Sequence, residues 1–128
     1  MSLTNAFETS TLQYLLTTGS VTRPTAWYIG LFTSDPTDTG TAGTEVAGNG
    51  YTRVSASFTV TADTASNSAS IEFPAASGGN WGTVGWIGIM DASSGGNMII
   101  HSALDTAKAI NDGDVFRIPT GDLDITAS

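Results

Sequence analysis

The chain has 128 residues, with 12 acidic and 4 basic side chains, no cysteine and a formal net charge of −8. So few Lys and Arg residues cannot neutralise phosphates or an anionic lipid surface, which excludes nucleic-acid and membrane binding. The lack of cysteine excludes disulfides, thiolate zinc sites and cysteine nucleophiles. No apolar run approaches the roughly 20 residues of a membrane span, and we expect no signal peptide. The length predicts a single domain, residues 1–128.

Residues 1–20 carry the helix signal of the chain. Asn5 and Glu8 have the spacing of a capping box, and Gly19 follows the last apolar residue, where a C-cap forms. Apolar residues recur at helical spacing between these ends. They are Leu3, Phe7, Leu12, Leu15 and Leu16. This stripe either caps the β structure or packs against a neighbouring subunit, so its five residues are interface candidates.

From residue 24 onward, short β segments alternate with turns. Residues 26–33 and 83–90 are continuously apolar, as in strands buried on both faces. Residues 51–60 alternate, and their apolar side consists of Val54, Ala56, Phe58 and Val60. The other strand segments are 68–73, 97–101, 108–111, 115–118 and 123–126. About eight strands at such spacing predict a mainly β fold, an antiparallel β-sandwich (jelly-roll or Ig-like) over 24–128 with one N-terminal α-helix.

The tryptophans differ in their sequence surroundings. Trp27 and Trp86 lie inside apolar strands, where an aromatic side chain usually belongs to the core. Trp81 follows a Gly-Gly-Asn turn and is the best candidate for an exposed or interface aromatic. A core or interface position is the favoured interpretation for Trp81, and an exposed Trp81 could instead stack on a sugar ring.

The polar residues do not form a recognisable catalytic or metal motif. His101 is the only histidine, and its neighbour Ser102 would point to the opposite face of a strand. The acid pairs Asp112/Asp114 and Asp35/Asp38 have spacings that could present two carboxylates to Ca²⁺. Both pairs lie in turn sequences, however, and neither matches an EF-hand loop. We therefore expect no cofactor and no enzymatic activity.

Many segments of the chain resemble small virion proteins of tailed bacteriophages. In the first half these are residues 30–38 (GLFTSDPTD), 43–46 (GTEV) and 48–53 (GNGYTR). In the second half they are residues 67–68 (NS), 71–76 (IEFPAA), 81–84 (WGTV), 87–92 (IGIMDA), 94–97 (SGGN), Leu104 and 113–114 (GD). The resemblance covers nearly the whole chain and consists of strand and turn residues.

The resemblance implies a non-enzymatic virion structural protein, either tail-fibre-like (tail, fibre or neck) or head-decoration-like. Such a protein is made in the bacterial host cytoplasm and assembles with itself and with other virion proteins. Two other classes stay open at this point. One is a glycan-binding sandwich that attaches to the host surface through Trp81 or loop 34–50. The other is a glycan hydrolase that uses paired carboxylates.

Overall fold

The structure is a computed structural model that describes residues 2–127. Within these residues there are one helix and ten strands, and the strand pairs are antiparallel. In chain order the elements are β1 (Ser2–Leu3), α1 (Asn5–Leu16), β2 (Tyr28–Phe32), β3 (Val54–Ser55), β4 (Phe58–Thr61), β5 (Thr64–Asn67), β6 (Ile71–Glu72), β7 (Gly82–Met90), β8 (Met98–Ile110), β9 (Arg117–Ile118) and β10 (Asp124–Thr126). The predicted fold class, mainly β and antiparallel with one N-terminal helix, is confirmed.

The strands form three sheets that share one core. The large sheet has the order β1-β8-β7-β2-β3, and the smaller ones are β10-β5-β4 and β6-β9. One buried cluster joins Ile29 and Ile89 of the large sheet to Ile71 of β6 and to Phe116 and Leu123 of the C-terminal segment. The arrangement is therefore sandwich-like, with ten strands rather than about eight.

The N-terminal helix is shorter than predicted, because residues 1–20 do not form one element. Ser2–Leu3 pair with β8 as a strand, and the helix begins only at Asn5. Thr4 takes the N-cap position, but its hydroxyl donates to the Met98 carbonyl at 2.7 Å rather than to the helix. The capping box predicted from Asn5 and Glu8 is wrong, because Asn5 is already the first residue of the helix and Thr4 takes the N-cap position.

The predicted strand over residues 51–60 is two strands of different sheets. β3 pairs with β2, whereas β4 pairs with β5, and the Ala56 N–H between them donates to the Trp27 carbonyl. The alternation of side chains runs through this break, so the sequence gives no sign of it. Conversely, the predicted strands 97–101 and 108–111 belong to one long strand, β8.

An irregularity in β7 decides which side chains of the large sheet face the core. Val84 is opposite Lys108 and Trp86 is opposite Ala103, so the register shifts at Gly85. Because of this shift, Val84 and Ile87 both join the main core although they are an odd number of residues apart. Trp86 lies on the other face of the sheet.

The second face of the large sheet carries its own apolar cluster. It consists of Phe32, Met90 and Met98, with Tyr28 and Trp86 packed at its edge. Gly30 and Gly88 are opposite each other beneath it. A Cβ atom on Gly88 would lie 2.5 Å from Met98 Cε and 3.0 Å from Phe32 Cε1. The sheet is therefore buried on both faces at β2 and β7, as the continuous apolar runs predicted.

Asn67 ties the small sheet to the C-terminal segment. It is 1% exposed, and its amide donates to the Ala69 and Pro119 carbonyls, both at 2.9 Å. Its Oδ1 accepts from the Leu123 N–H at 2.9 Å. One buried side chain thus forms hydrogen bonds to three backbone groups in segments on either side of the small sheet.

We expect Asn67→Ala to lower the free energy of unfolding by about 1–3 kcal/mol, because it removes three hydrogen bonds and leaves the buried Leu123 N–H without its acceptor. Urea denaturation of both proteins measures the difference. Asn97→Ala is the matched control, since the Asn97 side chain is exposed and its amide contacts the Asp91 carboxylate at 3.3 Å. Equal losses in the two variants would contradict the assigned role of Asn67.

Candidate assembly surface

Helix α1 has an apolar side that nothing in the described chain covers. None of its 12 residues is buried. Leu12, Leu15 and Leu16 are 58%, 65% and 76% exposed. Positions i, i+3 and i+4 of a helix share one face, so the three leucines form a continuous ridge. Exposed apolar patches of this kind mark interaction sites in proteins that otherwise bury such side chains.

The start of α1 is anchored to the large sheet. The Thr4 N–H donates to the Ile99 carbonyl at 3.0 Å, and the Asn5 N–H donates to the Asp38 carbonyl at 2.8 Å. The Asp38 carboxylate contacts His101 Nε2 at 2.9 Å. These bonds hold the first turn of the helix, so the ridge has a defined direction although its side chains are in solvent.

An apolar groove with a volume of about 750 Å³ lies beside α1. One wall is a row across the small sheet, in which Val60 is opposite Ala65 and Ala65 is opposite Ile125. The other wall is the cross-strand pair Leu3 and Ile100. From α1, the apolar side chain of Leu15 also lines the groove.

The groove continues into a second apolar hollow of about 340 Å³, and charges are few along both. Trp27, Phe58 and Ile99 line the second hollow together with residues of the groove wall. The charged residues at the two hollows are Glu8, Asp63 and Arg23. We call the leucine ridge and the groove together the assembly surface.

The structure divides the predicted interface residues into three groups. Leu3 and Phe7 are half-buried and pack against the main core. Leu15 lies at the groove, and Leu12 and Leu16 extend the ridge into solvent. The stripe therefore both caps the β structure, at its start, and leaves a free face, further along the helix.

Trp81 is a core residue and not an exposed or interface aromatic, so only the core alternative predicted for it agrees with the structure. Its side chain is 6% exposed, and its ring meets Tyr51 edge-on at 5.3 Å between centroids. The indole N–H donates to the Asn49 carbonyl at 2.8 Å. The Gly-Gly-Asn turn before Trp81 folds the ring inward, so it cannot stack on a glycan.

Three carboxylates of the predicted acid pairs, those of Asp35, Asp38 and Asp114, contact the backbone or His101. Asp114 accepts from the Asn111 N–H at 2.9 Å, and Asp35 accepts from the Thr37 N–H at 2.9 Å. Asp38 faces His101. Among residues 2–127 no three His, Asp or Glu side chains cluster as metal ligands would. The hydrogen bonds of Asp35 and Asp114 to nearby backbone N–H groups are those expected of acids in turns.

Sequence reasoning missed three residues of the groove. Val60, on the apolar side of the predicted strand 51–60, is 71% exposed instead of buried. Ile100 and Ile125 lay in predicted strands, but nothing in the sequence placed them on the same surface. The signal that could have revealed Val60 is the polar composition of its neighbours in the β4–β5 hairpin, which has too few apolar side chains to cover it.

A second missed feature is the ion pair of Glu45 and Arg53. Arg53 donates from Nε and Nη2 to the two carboxylate oxygens of Glu45, both at 2.8 Å. Arg53 Nη1 also donates to the Ala92 and Gly95 carbonyls. The Tyr51 hydroxyl donates to Glu45 Oε2 at 2.6 Å. The pair thus ties loop 34–50 to the turn that precedes β8.

The ionisation of this cluster is set by burial and by its own hydrogen bonds. Burial opposes the charge of Glu45, but hydrogen bonds from Arg53 and Tyr51 outweigh it and hold the Glu45 pKa below its usual value. Burial and the hydrogen bond to Glu45 raise the pKa of Tyr51 far above its usual value. Glu45 is therefore an anion and Tyr51 a neutral donor at neutral pH.

We expect stability to fall as acid protonates Glu45. Its folded-state pKa lies below the unfolded value of about 4.3, so its contribution is complete above that pH and is lost as the pH falls through the folded pKa. The free energy of unfolding measured between pH 6 and pH 3 should therefore decline more steeply for the natural protein than for Glu45→Gln. Parallel pH curves for the two proteins would contradict this.

No helix of the described residues is long and apolar enough to cross a membrane. A comparison with curated proteins finds no match. The model of one protein family, described as "Podophage GP4 fiber I protein gp80", matches residues 2–126. This match covers the helix and all ten strands of the described residues. The chain belongs to this family of phage fibre proteins and is a structural component of the virion.

Proposed function

We propose that the chain is a non-enzymatic fibre subunit that is present in several copies on the particle and associates with itself and with other virion proteins. The observation that carries this proposal is the leucine ridge, since three exposed leucines on one helix face are costly unless a partner covers them. The family match supports a fibre role over head decoration.

Self-association also suits the sheet architecture. The large sheet ends in the two-residue strands β1 and β3, and β8 is irregular beyond its pairing with β1. Short and bulged edges resist the addition of further strands. Contacts between copies are therefore expected to come from the assembly surface rather than from continuation of a sheet.

Quantitative mass spectrometry of purified particles tests the virion assignment. We expect the chain to be present at a low, fixed ratio to the major capsid protein, as for a fibre or tail component. A ratio close to that of the capsid protein would indicate head decoration instead. Absence of the chain from intact particles would overturn the proposal.

The glycan-binding alternative now rests on loop 34–50 alone, because Trp81 is buried. Much of that loop is held in place by the Glu45–Arg53 ion pair and by the Asp38–His101 contact. We expect no saturable binding of the chain on a broad glycan array. Saturable binding that disappears in a loop variant such as Thr39→Ala/Thr41→Ala would support attachment through this loop.

A further inference from the structure

We infer that Asn49 is a latent deamidation site, whose hydrolysis the fold slows by fixing its side-chain amide and its main-chain carbonyl to the turn over residues 76–81. Residues 49 and 50 are the only place in the sequence where Asn precedes Gly. In such a pair the Gly nitrogen reaches the Asn side-chain carbonyl with little hindrance, because glycine has no Cβ. This modification concerns the isolated chain and goes beyond the proposed function.

The reaction needs water and no other co-reactant. The Gly50 nitrogen forms a bond to Asn49 Cγ, and the side-chain nitrogen of Asn49 leaves as ammonia with the proton that Gly50 loses. The product is a five-membered succinimide ring. Water then opens this ring at one of its two carbonyl carbons and gives aspartate or isoaspartate. One amide group is thus exchanged for one carboxyl group.

The two carbonyl groups of Asn49 that would become part of the ring are both held in the folded chain. The side-chain nitrogen donates to the Asn80 carbonyl at 3.0 Å. The main-chain carbonyl accepts from the Trp81 indole N–H at 2.8 Å and from the Ser77 N–H at 2.9 Å. Ring closure turns the side chain about Cα–Cβ and the carbonyl about Cα–C. These three hydrogen bonds must therefore open first.

The backbone explains why an asparagine occupies this position. Asn49 has a φ of 51°, in the left-handed region that Asn and Gly adopt more readily than other residues. Its amide packs against the main chain of Gly79, where a Cβ atom would lie 2.8 Å from Asn49 Nδ2. Asn49 is exposed, so water reaches it and only the contacts with the turn protect it.

The turn that holds Asn49 is itself tied to a third exposed turn, over residues 111–114. Asn80 supplies both links, since its main-chain carbonyl accepts from Asn49 and its Oδ1 accepts from the Asp112 N–H at 2.8 Å. A change at Asn49 therefore acts on a set of connected turns and not on one loop.

Both products of hydrolysis remove contacts of this set. Aspartate at position 49 lacks the N–H donor and places a carboxylate beside the Asn80 carbonyl, which repels it. Isoaspartate adds one carbon to the main chain and displaces the carbonyl that accepts from Trp81 and Ser77. Deamidation is irreversible, so each event loosens these turns permanently.

Incubation of the purified natural chain in mildly alkaline buffer, with and without guanidinium chloride, tests the protection. Mass spectrometry of the peptide that contains residues 49–50 measures the converted fraction. We expect conversion to be about 100-fold slower in the folded chain, because each of three hydrogen bonds favours the closed turn by about fivefold. The other asparagines are the internal reference, since none of them precedes a glycine.

Trp81→Phe tests the contribution of one of these hydrogen bonds. It removes the indole donor to the Asn49 carbonyl and keeps most of the ring packing. The folded variant should deamidate about fivefold faster than the natural chain. Trp86→Phe is the matched control, because Trp86 lies on the other face of the large sheet, and it should deamidate as the natural chain does. Circular dichroism verifies that both variants are folded.

Asn49→Asp tests the consequence of hydrolysis, since it is one of the two products. Its midpoint of thermal unfolding should lie about 5 °C below that of the natural chain. Asn111→Asp adds the same charge at another exposed asparagine and should change the midpoint little. Equal midpoints for the two variants would show that hydrolysis leaves the turns intact, against the inference.

Two further results would overturn the inference. One is an equal rate of conversion in the folded and the denatured chain, and the other is an equal rate in Trp81→Phe and Trp86→Phe. Neither result affects the proposed function, which fails only if the chain is absent from purified particles. The two proposals therefore fail separately.

Discussion

Trp81→Ala is expected to lower the free energy of unfolding by about 3–5 kcal/mol, the cost of removing a buried tryptophan side chain. Besides its edge-on contact with Tyr51, the ring lies 6.4 Å from Phe73 between centroids, and Phe73 in turn meets Phe116 at 5.7 Å. The substitution opens a cavity in the middle of this aromatic group. A loss of this size is a large part of the total stability of about 5–15 kcal/mol that is typical of a single domain.

Urea denaturation of the purified chain, followed by tryptophan-independent far-ultraviolet circular dichroism, measures this loss. Tyr14→Ala is the matched control, because Tyr14 is an aromatic residue that is 74% exposed on α1. It should change the stability by less than about 0.5 kcal/mol. Trp81→Phe separates the contribution of packing from that of the hydrogen bond, since it keeps most of the packing and removes the hydrogen bond to Asn49. Unchanged stability in Trp81→Ala would show that the ring is not a core residue.

Arg53→Met is expected to cost about 3 kcal/mol, the lower end of the range for breaking a buried ion pair by removal of one partner. The Arg53 side chain is 8% exposed and that of Glu45 is 24% exposed, so water compensates the lost charge only in part. Methionine keeps the apolar stem of the side chain. It removes the donors to the carboxylate and to the Ala92 and Gly95 carbonyls.

A double-mutant cycle with Glu45→Gln identifies the source of this loss. The double variant leaves no uncompensated charge, so it should lose less than the sum of the two single variants. Arg117→Met is the control, because Arg117 is exposed and takes part in no ion pair within the described residues. If Arg53→Met and Arg117→Met cost the same, the pair does not hold the loop in place.

Strands β2 and β7 show which structural features local sequence can predict. Their apolar runs were long enough to predict burial on both faces, and the structure has Ile29 in one cluster and Phe32 in the other. Burial on both faces follows from composition alone, because no side chain in such a run is suited to water. The sequence does not predict which face of the sheet each side chain occupies, because the register shift at Gly85 depends on the pairing of β7 with β8.

Trp81 and Val60 show where local sequence does not decide burial. The turn before Trp81 left both a core and an exposed position open, and the structure buries the ring. Alternation at Val60 indicated burial, but the side chain is exposed. Each side chain is placed by segments that are distant along the chain. Asn49, Tyr51 and Phe73 enclose Trp81. Val60 points to the groove because its strand belongs to a small sheet that leaves one row of residues uncovered.

The sequence by itself determined that the chain is mainly β with one N-terminal helix, that the acid pairs Asp35/Asp38 and Asp112/Asp114 lie in turns, and that it resembles phage virion proteins. These properties depend on composition and on the spacing of neighbouring residues, which local sterics and burial convert directly into strands, turns and a helix. Only the tertiary structure decided that the leucine ridge is free, that a groove lies beside it, and that Glu45 pairs with Arg53. Those features arise where segments that are distant along the chain meet. The residue pattern of one segment does not show which distant segment it will contact, so such contacts cannot be predicted from it.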